Sequence, residues 1–404
     1  MRKKIIVITL VSFIIFSLYR FSFSLSKEKD IYKQLDIFAE ALSIVEKKYV
    51  EEKDARDLIY GALRGLLSSL DLYSEFLTPE DYESLKVETE GQFGGIGVEI
   101  TIKEGLLTII SPIEDTPAWK AGIKSGDIIV KIDGEITKGI SLNNAVKKLR
   151  GQPGSKVNLT VLCDSDKKLQ EFSITRDIIK ITDIKRSLIL ENNIGYIKIA
   201  QFRENTAKDL ISALEKLKQA GLKGLIIDLR NNPGGLLDIA VEISNIFLEE
   251  GKNIVSIKSK NQKEFVYKAK SGSNKYLDIP MAVIINKGSA SGSEILAAAL
   301  RDNNRAILIG EQTFGKASVQ TVIPLSDGSA LRITTAKYYT PKGLSLHEKG
   351  INPDIVVLEE EIKETKEETI FEEMEKKEEF NYRKDNQILR ALDLLKGIIV
   401  LANK

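Results

Sequence analysis

The chain has 404 residues, 43% hydrophobic and 29% charged, which fits two or three folded domains with sizeable cores. A formal net charge of +1 lacks the basic surplus of a nucleic-acid binder, so no nucleic-acid partner is expected. A single cysteine, Cys163, excludes an intramolecular disulfide, and with a single histidine, His347, it excludes the usual Cys/His zinc sites. No metal or cofactor is expected, and a Ser-His-Asp triad would have only His347 to draw on, so a serine hydrolase here calls for another base.

Arg2-Lys3-Lys4 precedes an apolar run from Ile5 to Leu18, the pattern of a secretory signal. The run is short for a membrane span, which needs ~20 residues. No clean cleavage site follows, so residues 1–25 read as a signal peptide or an uncleaved signal anchor. Export is the expectation: membrane-anchored facing the periplasm or cell exterior, or secreted.

Residues 30–88 read as a helical region. Leu35, Phe38, Ala39, Leu42 and Val45 recur at helical spacing, and Thr78-Pro79-Glu80 is a helix start. From Gly91 the texture changes to glycine-rich turns and short β-rich runs such as Gly97–Ile102, Lys156–Cys163 and Glu171–Thr175. Short helical pieces fall near Pro117–Ala121 and Leu142–Arg150. Residues 89–176 thus form one compact module. Residues 177–358 alternate strands (Gly195–Ile199, Gly224–Asp228, Pro280–Asn286, Arg305–Gly310) with helices (Thr206–Ala220, Leu236–Leu248, Glu294–Asp302), an α/β layer pattern. Residues 359–404 hold a glutamate-heavy run and a final amphipathic helix with Ile388, Leu389, Leu392 and Leu395, expected to dock on the body.

Met281 to Glu294 runs from a buried strand through a small-residue turn into a helix, placing Ser289, Ser291 and Ser293 at the strand's carboxyl end. Ligands bind at that edge of open α/β sheets, and a helix N-terminus offers free N–H groups there. Ser291-x-x-Glu294 is equally a capping box, a structural reading that needs no catalysis. Downstream, Lys316 sits between Gly315 and Ala317 beside β-rich sequence, where burial would disfavour its ammonium. To act as a base near neutral pH it must titrate well below ~10.4. Ser-Lys pairs are a convergent variant of the triad. Gly310-x-x-x-x-Gly315-Lys316 imitates a phosphate-binding loop, but Ala317 replaces the metal-binding hydroxyl and a strand follows instead of a helix. Asp228-Leu-Arg-Asn-Asn-Pro-Gly-Gly235 is either a tight β–α turn or, through the Gly234 and Gly235 amides, an oxyanion hole. Gly91 to Glu99 sets several glycines before a strand, suited to holding a peptide carboxylate while the strand pairs with peptide backbone.

Gly288-Ser-Ala-Ser-Gly-Ser-Glu294, Glu311-x-Thr-Phe-Gly-Lys-x-Ser-Val-Gln320, Asp228-Leu-Arg-x-Asn-Pro-Gly-Gly235 and Tyr338-Tyr-Thr-Pro341, with their order and mutual spacing along the chain, resemble the carboxy-terminal processing (tail-specific) proteases. The likeness covers roughly residues 30–358. It implies a crotonase-like α/β catalytic domain with an inserted PDZ domain after an N-terminal helical region. It implies a serine endopeptidase with Ser291 as nucleophile, Lys316 as general base and Gln320 orienting the lysine. The backbone amides of Gly292, Gly234 and Gly235 would hold the oxyanion, with Glu294, Asp302 and Arg230 either as supporting polar residues or, equally, as caps or ion pairs. Gly94, Gly95, Ile96, Gly97 and Val98 would bind the C-terminal tail of a protein or peptide substrate, and Arg150 would couple the PDZ domain to the active form. A membrane partner through the N-terminal segment and a homo-oligomer are compatible with it. Departures are Gly292 where alanine is common, Asp71-Leu72-Tyr73 without the usual proline, and His347 where glutamine is frequent. Two other classes fit parts of the pattern: a silent PDZ scaffold that only binds C-termini, and a crotonase-like acyl-CoA enzyme. The intact Ser291, Lys316 and Gln320 speak against the first, and the fused PDZ-like module against the second.

Overall fold

The computed structural model describes residues 31–113, 115–163, 167–260, 262–272, 276–347, 349–360 and 380–402. The N-terminal run expected to direct export and most of the glutamate-rich run lie outside them. Among the described residues no helix is long and apolar enough to cross a membrane. The chain divides into two compact units: residues up to Thr78 with Val322–Ile333, and Pro79–Thr321 with Thr334 onward.

In the first unit, a helix over 31–48 is followed by the helix Ala55–Ser68, whose start is capped by Asp54 accepting from Arg56 N–H at 2.8 Å. The region expected to be wholly helical contains the strand Glu75–Leu77, which pairs antiparallel with Ala330–Arg332. Its buried Phe76 lies 4.7 Å from the Tyr60 ring, and Tyr60 donates to Asp327 at 2.7 Å. Non-local pairing overrides local helical tendency here.

In the second unit, the helix Pro79–Glu90 opens with proline at its first position, as its sequence predicts. The β-rich module is a sheet in the order Val98–Lys103, Leu106–Pro112, Ile128–Ile132, Lys156–Leu162, Leu169–Thr175, with Glu135–Ile136 added beside Ile128–Ile132. Leu107, Ile109, Ile129, Val157, Leu159 and Val161 fill its core with Ala145 and Leu149 of the helix Leu142–Leu149. Arg176 donates to the carbonyls of Lys148 (2.8 Å) and Leu149 (3.1 Å), satisfying that helix's last turn. The chain enters and leaves the module through an antiparallel ribbon of Gln92–Gly95 with Asp177–Lys180.

The remaining core is a six-stranded sheet ordered Ile184–Ile189, Ile194–Ile199, Gly224–Asp228, Met281–Ile285, Ile307–Gly310, Ile355–Val356; after an antiparallel first pair the strands run parallel. Every residue of Gly224–Asp228 and Met281–Ile285 is buried, because both faces are covered. Side chains alternate between faces. Leu225, Ile227, Val283 and Ile285 pack with the helices Thr206–Gln219, Leu237–Phe247 and Gly292–Asp302. Ile226, Ala282 and Ile284 meet Ile388, Leu392 and Leu395 of the helix Asn386–Ala402. That final helix therefore completes the core of the α/β layer rather than decorating it. A further antiparallel set joins Asn253–Ser259 to Phe265–Lys268 and to Ala336–Tyr339 at the end of the strand Ala330–Tyr339.

Candidate active site

Three adjacent parallel strands, Gly224–Asp228, Met281–Ile285 and Ile307–Gly310, deliver three loops to one edge of the sheet at their carboxyl ends. These loops are Leu229–Leu236, Asn286–Ser291 and Glu311–Ala317, which carry most of the motifs singled out in the sequence. Hydrogen bonds between side chains and backbone weld the first two. Asn286 Oδ1 accepts from Asn231 N–H (2.9 Å), and Asn286 Nδ2 donates to Asn231 Oδ1 (3.0 Å). Ser289 Oγ donates to Leu229 O (2.8 Å) and Ser293 Oγ to Asn232 O (2.9 Å).

Those bonds sort the three serines. Ser289 and Ser293 are fully buried and their hydroxyls are committed to carbonyls of the neighbouring turn. Ser291 is only half-buried and caps the helix Gly292–Asp302 with φ 52° and ψ −112°. That is strained backbone for a non-glycine residue, worth about 1–3 kcal/mol. Strained strand-to-helix turns of this kind present the nucleophile in α/β hydrolases.

Glu294 connects the Ser291 turn to the lysine loop. Its side chain is wholly buried. Oε2 accepts from Ser291 N–H and from Lys316 N–H, both at 2.9 Å, so the two amide nitrogens stand no more than twice 2.9 Å apart. Oε1 accepts from Thr313 Oγ1 (2.6 Å) and Gly315 N–H (2.8 Å). The carboxylate thus caps the helix start, as Ser-x-x-Glu spacing predicts, and simultaneously holds the loop that carries the lysine. Tyr338, buried on the strand Ala330–Tyr339, donates its hydroxyl to Lys316 O and lies 3.3 Å from Ser291 O. No role for Tyr338 was legible beyond its place in a recurring motif, since its contacts are 22 and 47 residues away.

Gln320 lies on the strand Ser318–Pro324, and its amide donates to Ser318 Oγ (2.9 Å) and Thr334 Oγ1 (3.3 Å). Gly292 stands at the first position of its helix, and among the described residues its N–H has no protein acceptor. The same holds for Gly235, an exposed glycine at φ 141°. Gly234 differs from expectation. Its N–H donates to Asn232 Oδ1 at 2.9 Å and is not available to an oxyanion.

Arg230 and Asp302 also differ from expectation, because neither supports the Ser291 turn. Arg230 faces the C-terminal segment, pairing with Asp228 and Asp385 (both 2.7 Å) and donating to Gln387 Oε1 (3.0 Å). Burial acts to lower the Arg230 pKa, but Asp228 and Asp385 outweigh it and raise the value. Burial likewise acts to raise the Asp228 carboxyl, and hydrogen bonds from Arg230 and Tyr196 outweigh it, holding that pKa below the ordinary carboxylate value. Asp302 is at the far end of the helix Gly292–Asp302, ~16 Å along the axis from Ser291 at 1.5 Å per residue. There it pairs with Arg301 and accepts from Lys342 N–H at 3.2 Å.

In the β-rich module, Val98–Lys103 is an edge strand, paired on one side only among the described residues, and follows the Ile96–Gly97 link from the strand Gln92–Gly95, in which Gly94 and Gly95 pair with Ile178 and Asp177. Ile96 O accepts from Ala118 N–H (2.8 Å) and Gly97 O from Ile113 N–H (2.9 Å). Gly97 is obligatory: its φ is 79°, and a Cβ there would stand 2.3 Å from Thr116 Cβ. Gly94 O accepts from Gly151 N–H at 3.1 Å, beside buried Gly95. Arg150 ends the helix Leu142–Leu149 with its guanidinium 4.3 Å from the Phe93 ring centroid, and burial lowers its pKa.

Residues 193–357 match peptidase family S41, and residues 108–162 match a PDZ domain. The chain is 44% identical to a carboxy-terminal-processing protease of Bartonella bacilliformis over 341 residues, 83% of this chain and 78% of that protein. It is 36% identical to a carboxyl-terminal-processing protease of Synechocystis over 369 residues, 89% of this chain and 82% of that one. Among solved structures, a photosystem II D1 C-terminal processing protease is similar at 30% identity and a TM-score of 0.46, over 79% of this chain and 92% of that chain. The 44% identity to the Bartonella protease over most of both chains, with the S41 and PDZ matches, means that the chain belongs to peptidase family S41, the carboxy-terminal-processing serine proteases.

Proposed function

We propose that this protein is an exported endopeptidase that selects protein substrates by their C-terminal tails and cleaves them through a Ser291–Lys316 acyl-enzyme mechanism. The observation that carries the chemistry is the shared oxygen of Glu294, which receives the amides of Ser291 and Lys316 and so holds nucleophile and base loops together. Neutral Lys316 takes the proton of Ser291 Oγ as that oxygen attacks the scissile carbonyl carbon. Gly292 N–H and Gly235 N–H stabilise the resulting oxyanion. The C–N bond then breaks, the Lys316 ammonium returns its proton to the leaving amine, and water hydrolyses the acyl-serine with Lys316 again as base. Gln320 orients the lysine.

Tail selection is supported by the edge strand Val98–Lys103 behind the Ile96–Gly97 link, which suits strand addition by a peptide with its carboxylate at the link. The basic start and apolar run of residues 2–18 support export. Purified Ser291→Ala and Lys316→Ala should each lose cleavage of an unstructured substrate with an apolar tail, while keeping the wild-type melting temperature and tail-peptide affinity. Undiminished turnover in either variant would refute the mechanism. Amidating the substrate's C-terminus should raise KM, and indifference to it would refute carboxylate recognition.

A further inference from the structure

Phe314 stands out on the lysine loop. Its neighbours on both sides are buried, yet its own side chain is 58% exposed. The backbone beneath it is fixed. Phe314 N–H donates to Ser289 O at 3.0 Å, two residues before Ser291, and Lys316 follows two residues later. Thr313 is held by Glu294 Oε1 (2.6 Å) and by Ile351, whose carbonyl accepts Thr313 N–H (3.0 Å) and whose N–H donates to Thr313 Oγ1 (2.7 Å). Gly315 N–H is held by the same Glu294 oxygen (2.8 Å). A large apolar ring on a loop this rigid loses little entropy on contact with a ligand, and it is left in water on the loop that carries Lys316.

We infer that Phe314 is a specificity-determining residue, the surface on which an apolar substrate side chain next to the scissile bond packs. This rests on the reading that Ser291 and Lys316 form the reacting centre. The polar surroundings sharpen the assignment: on the same loops Gln312 donates to Lys349 O (2.6 Å) and Lys287 pairs with Glu311 (3.7 Å), leaving the ring as the apolar feature there.

The test is steady-state kinetics on peptides sharing one C-terminal tail, with Leu, Ala, Ser or Asp at each residue flanking the scissile bond, using wild type, Phe314→Leu and Phe314→Ser. Wild type should favour Leu over Ser by about 10- to 100-fold in kcat/KM at one position. Phe314→Leu should keep most of that ratio. Phe314→Ser should reduce it to about threefold or less, with turnover of the serine peptide near wild type. An undiminished ratio in Phe314→Ser overturns the inference, as does wild-type indifference at both positions. Loss of all cleavage in Phe314→Ser also overturns it, since the ring would then be needed for the loop itself. The ratio is read whichever groups perform the chemistry, so persistent cleavage by Ser291→Ala would sink the Ser-Lys reading separately.

Discussion

Gly234 approaches Ser291 so closely that a Cβ on the glycine would stand 2.7 Å from the serine Cβ. The same added atom would meet Ala290 O and Gly292 N at 2.7 Å, and the glycine's φ is 101°. No side chain fits without moving the Ser291 turn. Displacing a nucleophile by ~1 Å costs on the order of 100-fold in rate. Gly234→Ala should therefore lower kcat by at least about that factor, and melt earlier by an amount equivalent to about 1–3 kcal/mol of backbone strain. Turnover and thermal denaturation check this together. A variant with wild-type kcat would show that the two turns are not coupled.

Glu294 gives the second prediction. An ionised carboxylate is an acceptor only, and four donors stand within 2.9 Å of this one, the Ser291, Lys316 and Gly315 amides and the Thr313 hydroxyl, with the Tyr338 hydroxyl at 3.5 Å. Glu294→Gln keeps the shape but turns an NH2 group toward amide protons. Charge-assisted bonds would be lost and donors would face donors, at about 1.5–3 kcal/mol per bond to a charged group. The loops carrying Ser291 and Lys316 should separate slightly, so kcat should fall by about 100-fold or more while KM for a tailed peptide changes little. A raised KM with unchanged kcat would place Glu294 in substrate binding instead.

How far the sequence reached depends on the range of the interactions. The parallel strands were legible because burial on both faces makes runs such as Met281–Ile285 continuously apolar. Their carboxyl ends then located the loops with Ser291, Lys316 and Gly235. Ser-x-x-Glu spacing carried a capping and a catalytic reading; Glu294 caps the helix start and also grips the loop of Lys316. Non-local features were not legible. Strands Asn253–Ser259 and Ala330–Tyr339 pair Ser256 with Tyr339, and Glu75–Leu77 sits among helices because its partner is Ala330–Arg332. Motif membership likewise cannot say where a side chain points. Arg230 lies five residues from Gly235, yet it bonds Gln387, 157 positions away.

That Arg230 contact sets the third prediction. Asp228 is fully buried and its charge is balanced by Arg230, which also reaches Asp385. Removing one partner of a buried pair costs about 3–5 kcal/mol, and Asp385 keeps the loss near the lower figure. Asp228→Asn should thus be destabilised by about 3 kcal/mol at pH 7, and the C-terminal helix should loosen from the Ile226–Ile284 face. The pH dependence follows from the depressed native pKa of Asp228. Its stabilisation is present above the ordinary carboxylate value of 3.8 and is lost as pH falls below it toward the lower native value. The stability gap between wild type and Asp228→Asn should be widest at neutral pH and should narrow below about pH 4. Urea denaturation of both proteins at pH 7, 5 and 4, extended as far into acid as the wild type stays folded, measures the gap directly. A gap that stays constant, or widens in acid, would mean that the Asp228 charge does not stabilise the native state.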